Sequence, residues 1–504
     1  MNLQGGTRMK LTQLVEPLMA KTIVGDIDIE ITGIEVDSRK VEKGDLFLCL
    51  SGFTVDGHDY AEMAIQKGAV ALVCERPLSL NVPQIIVKDA RFVMAFLADR
   101  FYQHPSQHLK IIGVTGTNGK TTTTHLIEKI LSDQGHLSGL IGTIKMKIGN
   151  ESFEIKNTTP DALILQESFR KMIDVGSDYG IMEVSSHALQ LGRVRGIRYH
   201  IAVFTNLTQD HLDYHVTMEN YRNAKGLLFA QLGNSYDSNP INNQYAVLNA
   251  DDQASSYYKD ITAAQVITYG IDQDADVKAT NIVITSEGTS FTVQSLSEKM
   301  DIQLKMIGKF SVYNALAAIT VAQIEGISLE DIKNSLEQIQ GVDGRFEPVM
   351  EGQDYTVIVD YAHTPDSLEN VLTTIKEFAK GKIYCVFGAG GDRDKTKRPL
   401  MGKIAVKYSD IAVVTSDNPR TEEPERILED IIEGIKEENT DTSKYVAIVD
   451  RQTAIEYAVQ QAKPDDVILI AGKGHETYQQ LKNEVIHFDD REVAREAILR
   501  GRKG

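Results

Sequence analysis

The stretch KIIGVTGTNGKTTTTHLIEKI, residues 110–130, decides how the chain is read. A β-branched run leads into a glycine-containing turn, and Leu126, Ile127, Ile130 and Leu131 then fall on one helical face, predicting strand, loop and helix in that order. Such a turn offers backbone N–H groups to a polyphosphate at the positive end of a helix. The candidate phosphate loop comprises Gly116, Thr117, Asn118, Gly119, Lys120, Thr121 and Thr122. Lys120 can reach terminal phosphates, and the Thr121 hydroxyl can ligate Mg2+. The spacing is a variant of GxxxxGK[ST], because Val114 stands at the first glycine position with Gly113 and Gly116 beside it. A turn that merely links strand to helix is the plain alternative; the GKT triplet at the junction favours a nucleotide site.

Working outward, the first ~105 residues hold short apolar runs such as GDLFLCL and AVALVCE and one helical stretch, YAEMAIQKGA, as a small α/β unit would. The pattern breaks around HPSQHLK (104–110). Downstream, YGIMEV (179–184), HIAVFTNL (200–207) and AVLNAD (246–251) alternate with helical segments and predict a largely parallel sheet. NIVITSEGTSFTV alternates with a period of two around Glu-Gly and predicts an antiparallel hairpin extension. After GVDGRFE (341–347), five strand-like runs interleave with helices as in a doubly wound domain. There Thr364 suits an N-cap, Pro365 the first helical position and Asp366 the positive helix end. The expected fold class is α/β in three domains: residues 1–108, 109–340 with a central parallel-sheet P-loop ATPase, and 341–504 with a Rossmann-like sheet.

The 504 residues exceed one ordinary hydrophobic core. With 42% hydrophobic and 25% charged residues and no apolar run of about 18, a soluble globular protein is expected, without membrane insertion. MNLQGGTRMK lacks the apolar core of a secretory signal, which places the protein in the cytoplasm, and Met9 could equally be the natural start after a short leader. Cys49, Cys74 and Cys385 have no metal-ligand spacing and suggest reduced core residues. A net charge of −18 opposes non-specific binding to nucleic acid or an anionic membrane. An acidic substrate must therefore meet a locally basic pocket.

The loop does not stand alone. NTTP (157–160), EVSSHAL (183–189), TNLTQDHLDYH (205–215), YRNAKGLLF (221–229), GRFE (344–347) and VDYAHTPDS (359–367) follow it, and in that order the set resembles the Mur ligases, which extend the peptidoglycan precursor peptide. DSRKVEKGDLFLCLSG with DGHDYAEMAIQKGA is similar to family members adding the third or later residues, and DNPR (417–420) resembles the motif that recognises meso-diaminopimelate. The resemblance implies an N-terminal unit for the uridine nucleotide, a central ATPase and a C-terminal unit for the incoming amino acid. It implies addition of meso-diaminopimelate to the D-glutamate of UDP-N-acetylmuramoyl-L-alanyl-D-glutamate (UDP-MurNAc-L-Ala-D-Glu) through an acyl phosphate, with ATP and Mg2+, by a monomer. Three other readings are an L-lysine-adding homologue, a folylpolyglutamate synthetase-like ligase, and a non-catalytic nucleotide-binding regulator; a fourth, the family member that adds the terminal dipeptide, shares the N-terminal unit, and DNPR and GGDRDKTKRP (390–399) speak against it. The N-terminal unit speaks against the second. The joint presence of Lys120, Thr121, Glu183, His211 and Lys225 speaks against the third.

By resemblance, Lys120, Glu183, His211 and Lys225 are the catalytic set. Thr121, Glu183, His211 and Lys225, the last as a carbamate, are the metal and phosphate set. A lysine in AKGLLF is ordinarily a solvated helix residue, and a glutamate ending a strand is ordinarily exposed or paired. Asn314, Arg345 and Asp360 match positions that hold the ATP base and ribose, and Arg345 lies at a domain junction. For the uridine nucleotide substrate the matches are Ser38, Asn157, Thr158, Thr159, Ser185 and Arg193, with Leu191 where some relatives carry glutamine. For diaminopimelate they are Arg393, Asp417, Asn418, Pro419, Arg420, Gly472 and Glu476. Arg420 would grip the distal carboxylate in a two-pronged contact.

Overall fold

Three groups of short apolar runs give three main sheets in the computed structural model, which describes residues 8–501 apart from 53–54, 240–241, 286, 296–297 and 439–440. Residues 1–7, where the expected leader falls, lie outside the described residues. The first sheet contains β1 (Thr22–Val24), β2 (Gly33–Glu35), β3 (Asp45–Leu48), β4 (Ala71–Cys74) and β5 (Gln84–Ile86), in the order β1-β5-β4-β3-β2. Only β1 runs antiparallel. Period-two alternation sends Leu46 and Leu48 to the helix Ala90–Phe101 and Phe47 to the helix Ala61–Lys67, so both faces are covered.

The central sheet has eleven strands: β6 (Lys110–Thr115), β7 (Ser138–Ile141), β8 (Met146–Ile148), β9 (Glu151–Phe153), β10 (Tyr179–Glu183), β11 (Tyr199–Phe204), β12 (Tyr245–Asn249), β13 (Gln265–Gly270), β14 (Val277–Thr285), β15 (Gly288–Ser295) and β16 (Glu298–Leu304). Their order is β9-β8-β7-β10-β6-β11-β12-β13-β14-β15-β16. From β7 to β14 the neighbours are parallel. The meander β14 to β16 is the expected antiparallel extension, though Ser286 in its first turn lies outside the described residues. A second antiparallel extension, β8 and β9 at the opposite edge, was not among the expected elements. Its signal is short: Met146 and Ile148 are buried on either side of Lys147 in β8, a period of two over only three residues, and β9 is exposed throughout.

Helices α1 (Lys120–Asp133), α2 (Met218–Ala230) and α3 (Lys309–Ile324) enclose this sheet. Leu126, Ile127, Ile130 and Leu131 of α1 are buried with Ala315 and Leu316 of α3 on one face, and Leu228 and Phe229 of α2 pack on the other.

The third sheet holds β17 (Glu347–Pro348), β18 (Thr356–Asp360), β19 (Ile383–Phe387), β20 (Ile411–Val414), β21 (Tyr445–Ala447) and β22 (Val467–Ala471), in the order β17-β18-β22-β19-β20-β21. All but β17 are parallel, and apolar clusters cover both faces. Helix α4 (Pro365–Phe378) starts as its sequence dictates: Thr364 forms a capping box with Ser367, and Pro365 occupies the first turn. Glu183 and Asp360 end their strands, and the phosphate loop and DNPR follow theirs, so the candidate residues collect at carboxyl ends of parallel strands, where open α/β sheets bind ligands. The three cysteines are free and buried. No helix among the described residues is long and apolar enough to cross a membrane.

Candidate active site

Strand β6 stops at Thr115 and α1 begins at Lys120, leaving four residues for the loop. Gly119 sits at φ +85°, and a Cβ there would lie 2.4 Å from Asn314 Oδ1. At Gly116 a Cβ would lie 1.8 Å from Thr205 Oγ1. Both positions therefore exclude a side chain, as a backbone cradle requires. The segment after β11 clamps the loop: Thr117 N donates to Asn206 O at 2.8 Å and Asn118 N to Asn206 Oδ1 at 2.9 Å. Lys120 Nζ donates to the carbonyls of Gly116 (3.0 Å) and Thr117 (2.8 Å), and burial pushes its pKa down.

Around the loop lies a cavity of about 660 Å³. Its wall brings together Thr117, Asn118, Gly119, Lys120, Thr121, Thr122, Thr158, Glu183, Ser185, His211, Asn314, Arg345 and Asp360, residues from both the central and the C-terminal units. Glu183 is fully buried, correcting the ordinary expectation for a strand-ending glutamate; its carboxylate accepts from Thr143 N (2.7 Å) and Thr143 Oγ1 (2.9 Å). His211 stands 3.3 Å from Asp210 at the cavity wall with its side chain 43% exposed; desolvation there, added to by His187 and opposed by Asp210, pushes its pKa down.

Lys225 is not a solvated helix residue. It is 1% exposed, donates to Gly116 O at 2.8 Å from behind the loop, and lies over the ring of Tyr221. Burial, reinforced by Lys120, pushes its pKa well down. The hydroxyl of Thr121, the carboxylate of Glu183 and the imidazole of His211 share the cavity, with Lys225 directly behind it. The oxygens of Thr121 and Glu183 suit Mg2+, which takes few protein ligands and keeps several of its own waters. No ready-made group of three or more His, Cys, Asp or Glu exists among the described residues.

Two contacts join the central and C-terminal sheets across the site. Arg345 Nη2 donates to Thr121 Oγ1 at 3.1 Å, with its guanidinium over the Tyr361 ring. Asp366, at the start of α4, accepts from Asn118 Nδ2 (2.8 Å) and Thr208 Oγ1 (2.7 Å). Asp360 accepts from Phe346 N and Ala362 N at 2.7 and 2.8 Å, and burial pushes its pKa up.

The residues matched to the uridine substrate are placed less uniformly. Thr159 is buried; its hydroxyl donates to Glu183 O at 2.9 Å, while Arg193 Nη1 donates to Thr159 O at 3.1 Å. Ser185 caps the helix Ser186–Gln190 through Ala188 N, the local role such a serine commonly takes. Asn157 is exposed, and Ser38 is buried against Met63 in the first unit; neither lines the cavity.

The amino-acid candidates form a second cluster beyond Tyr361. Asn418 Nδ2 donates to Glu476 Oε2 at 2.8 Å, and a Cβ on Gly472 would lie 2.5 Å from Asp417 Oδ2. Arg420 Nη1 donates to Gly391 O at 2.7 Å. A Cβ on Gly390 would lie 2.9 Å from that same nitrogen and 3.7 Å from Arg393 Cγ, so both arginines flank one loop. Pro419 turns the chain with its carbonyl against Gly391. Tyr361, a cavity residue, abuts Gly474 in the turn between Gly472 and Glu476, so the two clusters share a wall.

Sequence reasoning missed Thr143, Thr208, His187, Lys397 and Lys473, and gave Asp366 only a helix-end role. His187 meets His211 edge to face, with ring centroids 4.7 Å apart. Lys397 is largely buried, with Nζ on the His363 carbonyl at 2.9 Å. It stands in the GGDRDKTKRP run, in which Arg393 is the expected site residue.

Val216, just past His215, centres a γ-turn: its φ is +68°, and Thr217 N donates to His215 O at 2.8 Å. A β-branched residue is strained there, and at 74% exposure Val216 offsets little by burial. Val216→Gly is expected to raise the urea midpoint by an amount equivalent to about 0.5–1 kcal/mol, the relieved strain less the added chain entropy of glycine. A lowered midpoint would contradict the strain assignment.

The Mur ligase middle domain matches residues 114–322, the Mur ligase glutamate ligase domain residues 344–474, and the Mur ligase family catalytic domain residues 30–102. A UDP-N-acetylmuramoyl-L-alanyl-D-glutamate--2,6-diaminopimelate ligase from Bacillus cereus is 57% identical over 490 residues, covering 97% of this chain and 98% of the relative. A solved structure of a ligase of that description aligns with a TM-score of 0.70 at 32% identity, over 98% of this chain and 99% of its own. The MurF ligase from Thermotoga maritima, solved in complex with ADP, shares the fold with a TM-score of 0.63 at 19% identity, over 93% of this chain and 96% of its own.

Proposed function

The chain belongs to the Mur ligase family, and from that membership we propose that it joins meso-diaminopimelate to the D-glutamate of UDP-MurNAc-L-Ala-D-Glu, converting ATP to ADP and phosphate. The observation that carries the reading is the wall shared by the phosphate-loop cavity and the cluster of Asp417, Asn418, Arg420 and Glu476. It seats a nucleotide and a zwitterionic amino acid on either side of one reacting carboxylate.

The γ-phosphoryl group passes from ATP to the D-glutamate side chain; the bond to the β-phosphate oxygen breaks, a P–O bond to the carboxylate forms, and ADP leaves. The amine then attacks the acyl carbon, a C–N bond forms, and phosphate departs as the amine gives up a proton. The chain's part is to position three anionic groups and balance their charge. Lys120 and the loop N–H groups hold the phosphates, while Asn314, Arg345 and Asp360 hold the base and ribose. Ser38, Asn157, Thr158, Thr159, Ser185 and Arg193 serve the UDP-linked substrate.

Thr121, Glu183, His211 and Lys225, the last as a carbamate, would hold Mg2+. When bound, Mg2+ supplies charge neutralisation at the phosphates. The setting of Lys225 supports the carbamate: burial favours the neutral amine, the form that condenses with CO2, and the product is an anionic oxygen donor. The units correspond to residues 1–108, 109–340 and 341–504, acting as a cytoplasmic monomer.

Arg420 sets the amino-acid preference by gripping the distal carboxylate, which lysine lacks. Arg420→Ala is expected to erode the preference in kcat/KM for meso-diaminopimelate over L-lysine by roughly ten- to a hundredfold, the worth of charge-assisted hydrogen bonds. An unchanged preference would refute this role.

A further inference from the structure

In the amino-acid cluster, one buried cation is left over by the roles assigned so far. Lys473 is completely enclosed, and its Nζ lies 3.2 Å from Asn418 Oδ1 and 3.2 Å from Glu476 Oε2, above the ring of Tyr478. With no exposed surface it has no route to a substrate, so it must act through its neighbours. Asn418 Oδ1 takes two donors, Lys473 Nζ and Gln480 N at 2.8 Å, which turns the amide so that Nδ2 faces Glu476. Glu476 Oε2 in turn accepts from Asn418 Nδ2 and Lys473 Nζ, which leaves Oε1 as the carboxylate's remaining acceptor on a side chain that is 17% exposed.

We propose that Lys473 is a positioning residue for the diamino acid: it fixes the Asn418 amide and keeps Glu476 ionised, so that Glu476 accepts the substrate ammonium. This rests on the diaminopimelate site proposed above. The surroundings of Glu476 make the charge precarious. Burial pushes its pKa up, Asp417 adds to that, and Lys473 is the foremost opposing influence, supported by the Asn418 hydrogen bond. The other titratable or charged groups facing it are Tyr361 after β18, Tyr478, and Arg451, whose own charge is spent on a buried bidentate pair with Asp490. Without Lys473, the foremost influence opposing protonation is lost and Glu476 holds its proton to higher pH than in the wild type; a protonated carboxyl group binds an ammonium poorly.

The test uses full-length protein and amino-acid-dependent ADP formation with UDP-MurNAc-L-Ala-D-Glu, varying meso-diaminopimelate at saturating ATP and, separately, ATP at a saturating amino acid concentration, across about pH 6 to 9, the range into which a raised carboxylate titrates. Lys473→Met should raise KM for meso-diaminopimelate roughly ten- to a hundredfold at the acid end, the worth of a hydrogen bond to a charged group. KM for ATP should stay within about twofold, since uniform damage would move both. The ratio of variant to wild-type KM should fall as pH rises and Glu476 regains its charge; taking the ratio cancels titration of the substrate amine. Lys473→Gln, which keeps a donor without the charge, should show the same slope with a smaller offset, and it carries the test if the methionine variant does not fold. A ratio that is flat with pH in a folded variant overturns the proposal. A wild-type protein that fails to use meso-diaminopimelate overturns instead the reading of the site.

Discussion

Lys120→Ala is expected to lower ADP formation roughly a thousandfold or more, as loss of a central charge-stabilising group in phosphoryl transfer does. Besides Lys120, the cavity wall offers only Lys309 and Arg345 as cations among the described residues. Arg345 is already engaged with Thr121 and Tyr361, and Lys309 with Asp272 at 2.9 Å. Neither stands at the start of α1, the helix into which the loop leads. The fold should survive, because the two contacts of Lys120 are to carbonyls of its own loop and its removal relieves a buried charge. An unchanged thermal unfolding profile together with lost turnover supports the assignment; retained turnover refutes it.

Lys225→Ala should be nearly as damaging, by roughly a hundredfold or more if an anionic oxygen ligand is lost. It also empties buried space behind the loop, while Gly116 O keeps Lys120 as a donor, so Lys225→Met, which keeps most of the volume, is the better partner variant. The distinguishing readout is CO2. Wild-type activity should fall when CO2 is removed and return with bicarbonate, while both variants stay indifferent. If the wild type is also indifferent, the buried amine has another role.

How far the sequence reached can be judged from these two lysines. Lys120 was legible because strand, glycine turn and helix are local, and local order survives in one dimension. Lys225 was matched only by resemblance, yet a physical signal existed. Tyr221, Ala224, Lys225, Leu228 and Phe229 recur at helical spacing and are all buried, so Lys225 stood on the apolar face from the start. The plain expectation for lysine in AKGLLF ignored that face.

Thr143 was out of reach. It meets Glu183 from 40 residues away, across a loop with no periodicity. Asp366 shows the same limit in part: the start of α4 was readable from Thr364 and Pro365, but its carboxylate bridges to Asn118 and Thr208 on another sheet. Sheet interiors were legible for the opposite reason. Their apolar runs are continuous because helices cover both faces, whereas the edge pair Met146–Phe153 offers only Met146 and Ile148 around Lys147, followed by an exposed strand.

The central claim is that this chain couples ATP cleavage to joining one particular amino acid to the UDP-linked dipeptide. Its most direct test is phosphate release with UDP-MurNAc-L-Ala-D-Glu in the presence of meso-diaminopimelate, L-lysine or D-alanyl-D-alanine. The account predicts release that depends on the dipeptide substrate and is strongest with meso-diaminopimelate. Equal or faster release with L-lysine or D-alanyl-D-alanine, or release indifferent to any amino acid, would contradict it.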